Sequence, residues 1–314
     1  MKILVSGATG FIGRNLVKEL VKRGNEVYCL VRRISPRVNF LKEIDTGDNE
    51  YKSPRLNLIY GDITDKESLA KIEGDFKVFF HCAGAVENRN WRRLYMVNVK
   101  GTENICELAL RLGVERLIYL SSVAVVSGNS EVPLYEDLPY KSTNLYGESK
   151  IEAEKKVLDA RKKGLRVCIL RPCMVYGREE PHLLNLLLFL LKYRLFPLLE
   201  EGKHLWHLVY IGNLINALIL ALNNDKLLEK VFFVADEDIL TVKEVLFTLC
   251  GAIGAKPSFS LPNRFTPLLL SLPYFKKLKF FLKDRVYSIE RIKSVGYRSL
   301  YRTKDALRES VCIR

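Results

Sequence analysis

The chain has no CxxC pair among its seven cysteines. Its four histidines, His81, His182, His204 and His207, never join cysteines or carboxylates at a metal-ligand spacing. No metal site is expected, and cysteines lying in apolar runs read as small hydrophobes of a reducing compartment. A long hydrophobic run is also missing. The richest, Leu183–Leu191, contains Asn185 and is followed by Lys192 and Arg194, well short of the ~20 residues that span a bilayer. Residue 2 already opens the apolar run KILVS, which leaves no room for a secretory leader, so a cytoplasmic location is expected. Basic tails and aromatic-interleaved basic stripes are lacking as well. The net charge of +14 is spread out, with short pairs such as Arg32-Arg33 and Lys162-Lys163. Nucleic acid is therefore not an expected partner, and the charge favours small anionic ones such as phosphorylated cofactors.

What is present is a composition able to bury a large core: 314 residues, 48% hydrophobic, with 19 Gly and 11 Pro, which excludes a disordered or collagen-like chain. Short β-branched or aromatic runs (3–5, 27–31, 56–60, 77–81, 116–121, 167–170) alternate with helical patterns (12–22, 66–72, 91–112, 146–163). Gly24 and Gly113 fall where helices should stop. Strands separated by helices predict parallel βαβ units and a Rossmann-type, doubly wound α/β sheet. After Pro172 the alternation weakens into leucine-rich helices and one more strand at 231–234. The expected division is a nucleotide-binding domain over 1–171, completed by that strand, and a smaller, discontinuous substrate lobe over 172–314.

Residues 7–13, GATGFIG, follow the first strand and open a helix. Gly7, Thr9, Gly10, Phe11, Ile12 and Gly13 thus present backbone NH groups to a pyrophosphate with no Cβ in the way. At the end of the second strand an acidic residue would bind a ribose diol. This chain has Val31, Arg32 and Arg33, and the two cations can hold a 2′-phosphate instead, so NADP is preferred to NAD. Tyr146 and Lys150 stand four residues apart on one helix face, where an ammonium can lower a phenol pKa and let it pass a proton to or from a carbinol oxygen.

Together these pieces resemble the extended short-chain dehydrogenase/reductase superfamily, the NAD-dependent epimerase/dehydratase family, over nearly the whole chain. The GxxGxxG spacing resembles its nucleotide loop, NVKGT at 98–102 its N-x-x-G-T segment, RPCMVYG at 171–177 its R-P-x-x-V-Y-G turn, and HLVYIGNL at 207–214 its V-H-V-x-D-L stretch. The ending SIERIKSVGY at 288–297 is similar to the family's as well. The resemblance implies a Ser122, Tyr146 and Lys150 site, with Ser121 the competitor for Ser122 and Lys150 also binding the nicotinamide ribose. It implies further cofactor contacts from Asp62 and Ile63, from Ala83, Gly84 and Ala85, from Asn98 and Ser121, and from Pro172 and Cys173 beside the nicotinamide.

Within that family, 4,6-dehydratases carry Asp-Glu where this chain has Val123 and Ala124, and sugar-nucleotide epimerases carry Asn at Met174 and Arg-Asp at Trp206-His207. The pattern is more similar to the 3β-hydroxysteroid dehydrogenase and dihydroflavonol reductase branch. The implied activity is hydride transfer on an apolar ketone or alcohol, a small-molecule substrate. A nucleotide-sugar epimerase and a non-catalytic dinucleotide-binding scaffold are the alternatives. The apolar, basic segment 265–282 reads as a packed lid of the lobe, with a peripheral membrane contact as the lesser reading. A homodimer stays open.

Overall fold

The computed structural model describes residues 1–33, 38, 39, 41, 55–181, 184–257, 259–262, 264, 266–271, 278, 279 and 281–311. His182, Leu183 and part of the 265–282 segment lie outside them. The strands are β1 (Lys2–Ser6), β2 (Glu26–Val31), β3 (Leu56–Tyr60), β4 (Val78–His81), β5 (Arg116–Leu120), β6 (Val167–Pro172), β7 (Met174–Tyr176), β8 (Leu205–Trp206), β9 (Leu208–Tyr210), β10 (Lys230–Val234) and β11 (Leu240–Thr241). The helices are α1 (Phe11–Lys22), α2 (Lys66–Ala70), α3 (Trp91–Leu94), α4 (Gly101–Arg111), α5 (Leu145–Lys162), α6 (Leu184–Lys192), α7 (Ile211–Asn223), α8 (Val242–Ala252), α9 (Thr266–Ser271), α10 (Glu290–Ser294) and α11 (Thr303–Val311).

Seven strands form one sheet in the order β10-β6-β5-β4-β1-β2-β3, every neighbouring pair parallel. Parallel strands are covered on both faces, which is why their sequences are nearly continuous apolar runs. Alternate side chains divide the core between the faces. Ile3, Val5, Phe80, Ile118, Leu170 and Phe233 pack in one layer, while Leu4, Phe79, Leu117, Tyr119 and Ile169 pack in the other. The chain order reverses between β1 and β4, and the crevice outside their carboxyl ends is where such sheets take ligands.

Local signals set the element ends. Gly24 and Gly113 sit at positive φ (82° and 62°) just past α1 and α4, where a side chain would be strained. Asp65 caps α2, Asn90 caps α3, Asn144 caps α5 through Gly147 N–H, and Thr241 with Glu244 closes a capping box on α8. Between α3 and α4 the helix widens to a π-type turn, Tyr95–Lys100. Past β6 the chain adds two small sheets, a parallel pair of β7 and β9 and an antiparallel pair of β8 and β11. No helix among the described residues is long and apolar enough to cross a membrane.

Candidate active site

The turn between β1 and α1 is packed too tightly for any side chain at two of its glycines. A Cβ on Gly13 would lie 2.0 Å from the Gly7 carbonyl oxygen, and one on Gly7 would lie 2.6 Å from the Ala83 nitrogen. Gly7 also has φ 73°. The turn is therefore pressed against the loop leaving β4, which brings Ala83, Gly84 and Ala85 beside residues 7–13. Gly10 is different. It caps α1 with no side-chain hydrogen bond, and a Cβ there would meet one atom, Gly7 O at 3.2 Å. The first-turn NH groups of α1 thus have no capping side chain, the arrangement that binds a diphosphate. Arg14, one turn inward, is ion-paired to Glu179 at 2.7 Å.

Beyond β2 and β3 a groove of about 1070 Å³ is lined by Arg32, Arg33, Tyr60, Gly61, Asp62 and Lys71. Arg32 and Arg33 are exposed, with no ion-pair partner among the described residues. Asp62 folds back on its own turn, accepting from Thr64 N–H and Oγ1–H at 2.9 and 2.8 Å. Ile63 packs over Gly101, and its carbonyl accepts from Asn104.

At the other end of the crevice α5 brings Tyr146 and Lys150 together with the loop after β5. The two successive serines there point to different places. Ser121 is buried and donates to the Glu154 carboxylate. Ser122 is half-buried, accepts from Ala124 N–H on its Oγ, and lies beside the Tyr146 phenol. Of the two serines, then, Ser122 is the one beside Tyr146, and Ser121 is turned into the protein. Burial raises the Tyr146 pKa, and the neighbouring Ser122 hydroxyl opposes that rise. The structure thus corrects the expected lowering by Lys150. The Lys150 ammonium instead donates to Leu120 C=O at 2.9 Å, and burial pushes its pKa down to about 8 against the opposing charge of Glu154.

Supporting groups fix this arrangement. Asn98, in the π-type turn, accepts from Ala85 N–H at 2.7 Å and donates to Ala85 C=O and to Ser149 Oγ at 3.0 and 2.8 Å. Its side chain is thus spent on binding the cofactor loop to α5. Glu154 also holds Arg171 in a buried two-pronged pair, Oε1 to Nε at 2.9 Å and Oε2 to Nη2 at 2.6 Å, and accepts from Tyr140. Sequence reasoning passed over Glu154, although it lies four residues after Lys150 on the same helix face. Pro172 ends β6 beside Val234, and buried Cys173 donates its N–H to Val234 C=O.

Trp206 and His207 bring no charge to this region. His207 donates from Nε2 to Asp236 C=O at 2.6 Å and accepts Tyr287 N–H on Nδ1, so both ring nitrogens are committed and burial lowers its pKa. Trp206 is buried edge-on against Phe281. Asp236, fully buried, accepts from Tyr210 N–H, Asn213, Tyr176 and Thr303, and burial still raises its pKa to about 6.

A tight glycine turn, a phenol and an ammonium on one helix, and the strand reversal between them form a dinucleotide oxidoreductase site. The profile of the NAD dependent epimerase/dehydratase family matches residues 3–235. The chain belongs to that family. Among characterised members it is similar to a 3-beta-hydroxysteroid dehydrogenase of Mycolicibacterium neoaurum, 27% identical over 98% of this chain and 90% of that one. It is equally similar to the decarboxylating sterol-4-alpha-carboxylate 3-dehydrogenase of Mus musculus, 27% identical over 99% and 90%. Its fold matches UDP-glucuronic acid 4-epimerase from Bacillus cereus in complex with NAD, with a TM-score of 0.77, 22% identity and coverage of 99% and 97%. This family member is an NAD(P)-dependent oxidoreductase of the extended short-chain dehydrogenase type. The residues present fit its dinucleotide: the α1 cradle rejects any Cβ at Gly7 and Gly13, and the helix start at Gly10 carries no side-chain cap.

Proposed function

We propose that the chain interconverts a secondary alcohol and a ketone on an apolar, sterol-like framework, with NADP(H) preferred to NAD(H). The placement of Ser122 beside Tyr146, with Lys150 one turn further along the same helix, carries this reading. The nicotinamide, when bound, supplies or takes the hydride. Ser122 holds the substrate oxygen, and Tyr146 gives that oxygen a proton or removes one. Lys150 places a positive charge behind them. The raised pKa keeps the phenol protonated near neutral pH, so it has a proton to give, and the charge on Lys150 offsets negative charge developing on Tyr146 and the substrate oxygen. Residues 7–13 and the loop 83–85 hold the dinucleotide.

The apolar substrate class is supported by the committed ring nitrogens of His207 and the buried Trp206, which leave no charged side chain from that stretch for a diphosphate. The steroid dehydrogenases similar over the whole chain agree with it. A thermal-shift screen with NADP present tests the class. A sterol or steroid set should raise the melting temperature saturably, whereas UDP or dTDP stabilising the protein in place of the sterols would favour a nucleotide-sugar epimerase.

NADP preference rests on Arg32 and Arg33, exposed beside the groove that holds Asp62. Arg32→Ala should weaken NADP binding by roughly 1.5–3 kcal/mol and leave NAD nearly unchanged, as read by calorimetric titration. Equal losses for both dinucleotides would place Arg32 elsewhere.

A further inference from the structure

Lys150 is held by more than the catalytic face. Its ammonium points at the end of β5, donating to Leu120 C=O at 2.9 Å and to the Tyr119 hydroxyl at 3.4 Å, and standing 5.0 Å from the centroid of the Tyr119 ring. Tyr119 is completely buried. Behind it runs a sealed line of hydroxyls and one imidazole, and simple proton accounting gives the direction of every bond in it.

The accounting starts at Thr102. Its hydroxyl has one proton, and that proton goes to Asn98 C=O at 2.5 Å, because a carbonyl only accepts. Thr102 Oγ1 therefore accepts from its other neighbour, His81 Nε2 at 2.9 Å, which must carry its proton. His81 Nδ1 is then bare and takes the Ser6 hydroxyl proton at 2.6 Å. This imidazole is fully satisfied while neutral, and burial with the Lys150 charge pushes its pKa down to about 3. Tyr119 accepts from the Lys150 ammonium, so its oxygen lone pairs face that charge. Below the ring, His81 stacks on Tyr119 with centroids 5.5 Å apart, so the phenol has no room to turn.

We propose that Tyr119 is a positioning residue of this reaction: its lone pairs and ring face keep the Lys150 ammonium aimed and charged. The inference rests on the assignment of Lys150 to the site. The other groups facing Lys150 do not replace this role. Cys82, after β4, has a thiol that burial raises to about 12 and keeps neutral. His81 is neutral. Glu154, on the same helix as Lys150, is spent on Arg171, Ser121 and Tyr140. Without Tyr119 the ammonium keeps one carbonyl in a buried setting, and burial favours its neutral form.

The test needs no substrate. Protein grown on lysine labelled with carbon-13 at Cε gives a Lys150 resonance, assigned by its loss in Lys150→Met and titrated by NMR around its midpoint near 8. Tyr119→Phe keeps the ring and removes the lone pairs. It should lower proton affinity roughly 3–10-fold, the size of one net hydrogen bond. Tyr119→Met, which removes the oxygen and the ring face together, should lower it at least as far and carries the test if Tyr119→Phe fails to fold. A folded Tyr119→Phe or Tyr119→Met protein titrating at the wild-type midpoint would overturn the proposal. With a substrate in hand, the alkaline limb of kcat/KM should move with the NMR midpoint. A midpoint that moves while the limb stays would instead remove Lys150 from the reaction and leave its hold by Tyr119 intact.

Discussion

The two ends of the crevice are built differently. On the nucleotide side several buried polar groups each hold more than one partner: Asn98 joins a loop to a helix, Glu154 holds an arginine, a serine and a tyrosine, and His81 is locked between Ser6 and Thr102. On the lobe side apolar side chains remain at the surface. Leu186, Phe189, Tyr193 and Leu195 on and after α6 are 53–58% exposed, and Leu268 of α9 is 68% exposed. A buried polar network tolerates few exchanges, because each lost partner strands another group in a low dielectric. An exposed apolar wall tolerates many. Under the proposed function, chemistry belongs to the constrained side and substrate preference to the tolerant one.

That contrast is breakable. The largest effect should come from Tyr146→Phe, which removes the proton-transferring group and nothing that holds the fold. It should lower kcat by about 10²–10⁴ while fluorescence titration shows NADPH affinity nearly preserved. A Tyr146→Phe enzyme still active on a genuine substrate would remove the mechanism. Next is Glu154→Ala, which leaves the buried Arg171 guanidinium without its carboxylate and should cost about 3–5 kcal/mol in urea unfolding. The smallest is Leu268→Ser in the lobe, expected within about 0.5 kcal/mol of wild type by the same measurement. If the two unfolding losses were alike, the contrast between the halves would fail.

Much of the nucleotide half is legible in the sequence for the same reason that it is constrained. Gly13 cannot be another residue beside Gly7 O, and the strands, covered on both faces, show as apolar runs. What was not legible depends on direction. Ser121 and Ser122 are adjacent and alike, and their roles separate because one side chain meets Glu154 and the other meets Tyr146. The effect of Lys150 on Tyr146 was read from spacing, which cannot show that the ammonium turns toward β5. The short strands β7, β8, β9 and β11, two or three residues each, are too brief to show a period. The π-type turn around Asn98 lies within a pattern that reads as one continuous helix.

The position of β10 also bears on how the protein is made. Strand β6 ends at Pro172, yet its outer neighbour, β10, does not begin until Lys230, and α7, which packs on α1, is also encoded after the lobe has started. During synthesis the sheet has an open edge at β6 until residue 234 has left the ribosome. An unpaired apolar edge is a template for wrong pairing. Two carboxylates reach across the late seam, Glu136 to Phe233 N–H and Glu229 to Val167 N–H. The first half of the chain therefore waits on the second. A fragment cut after residue 172 would carry every nucleotide-loop and Ser-Tyr-Lys residue and still lack the strand that closes its sheet.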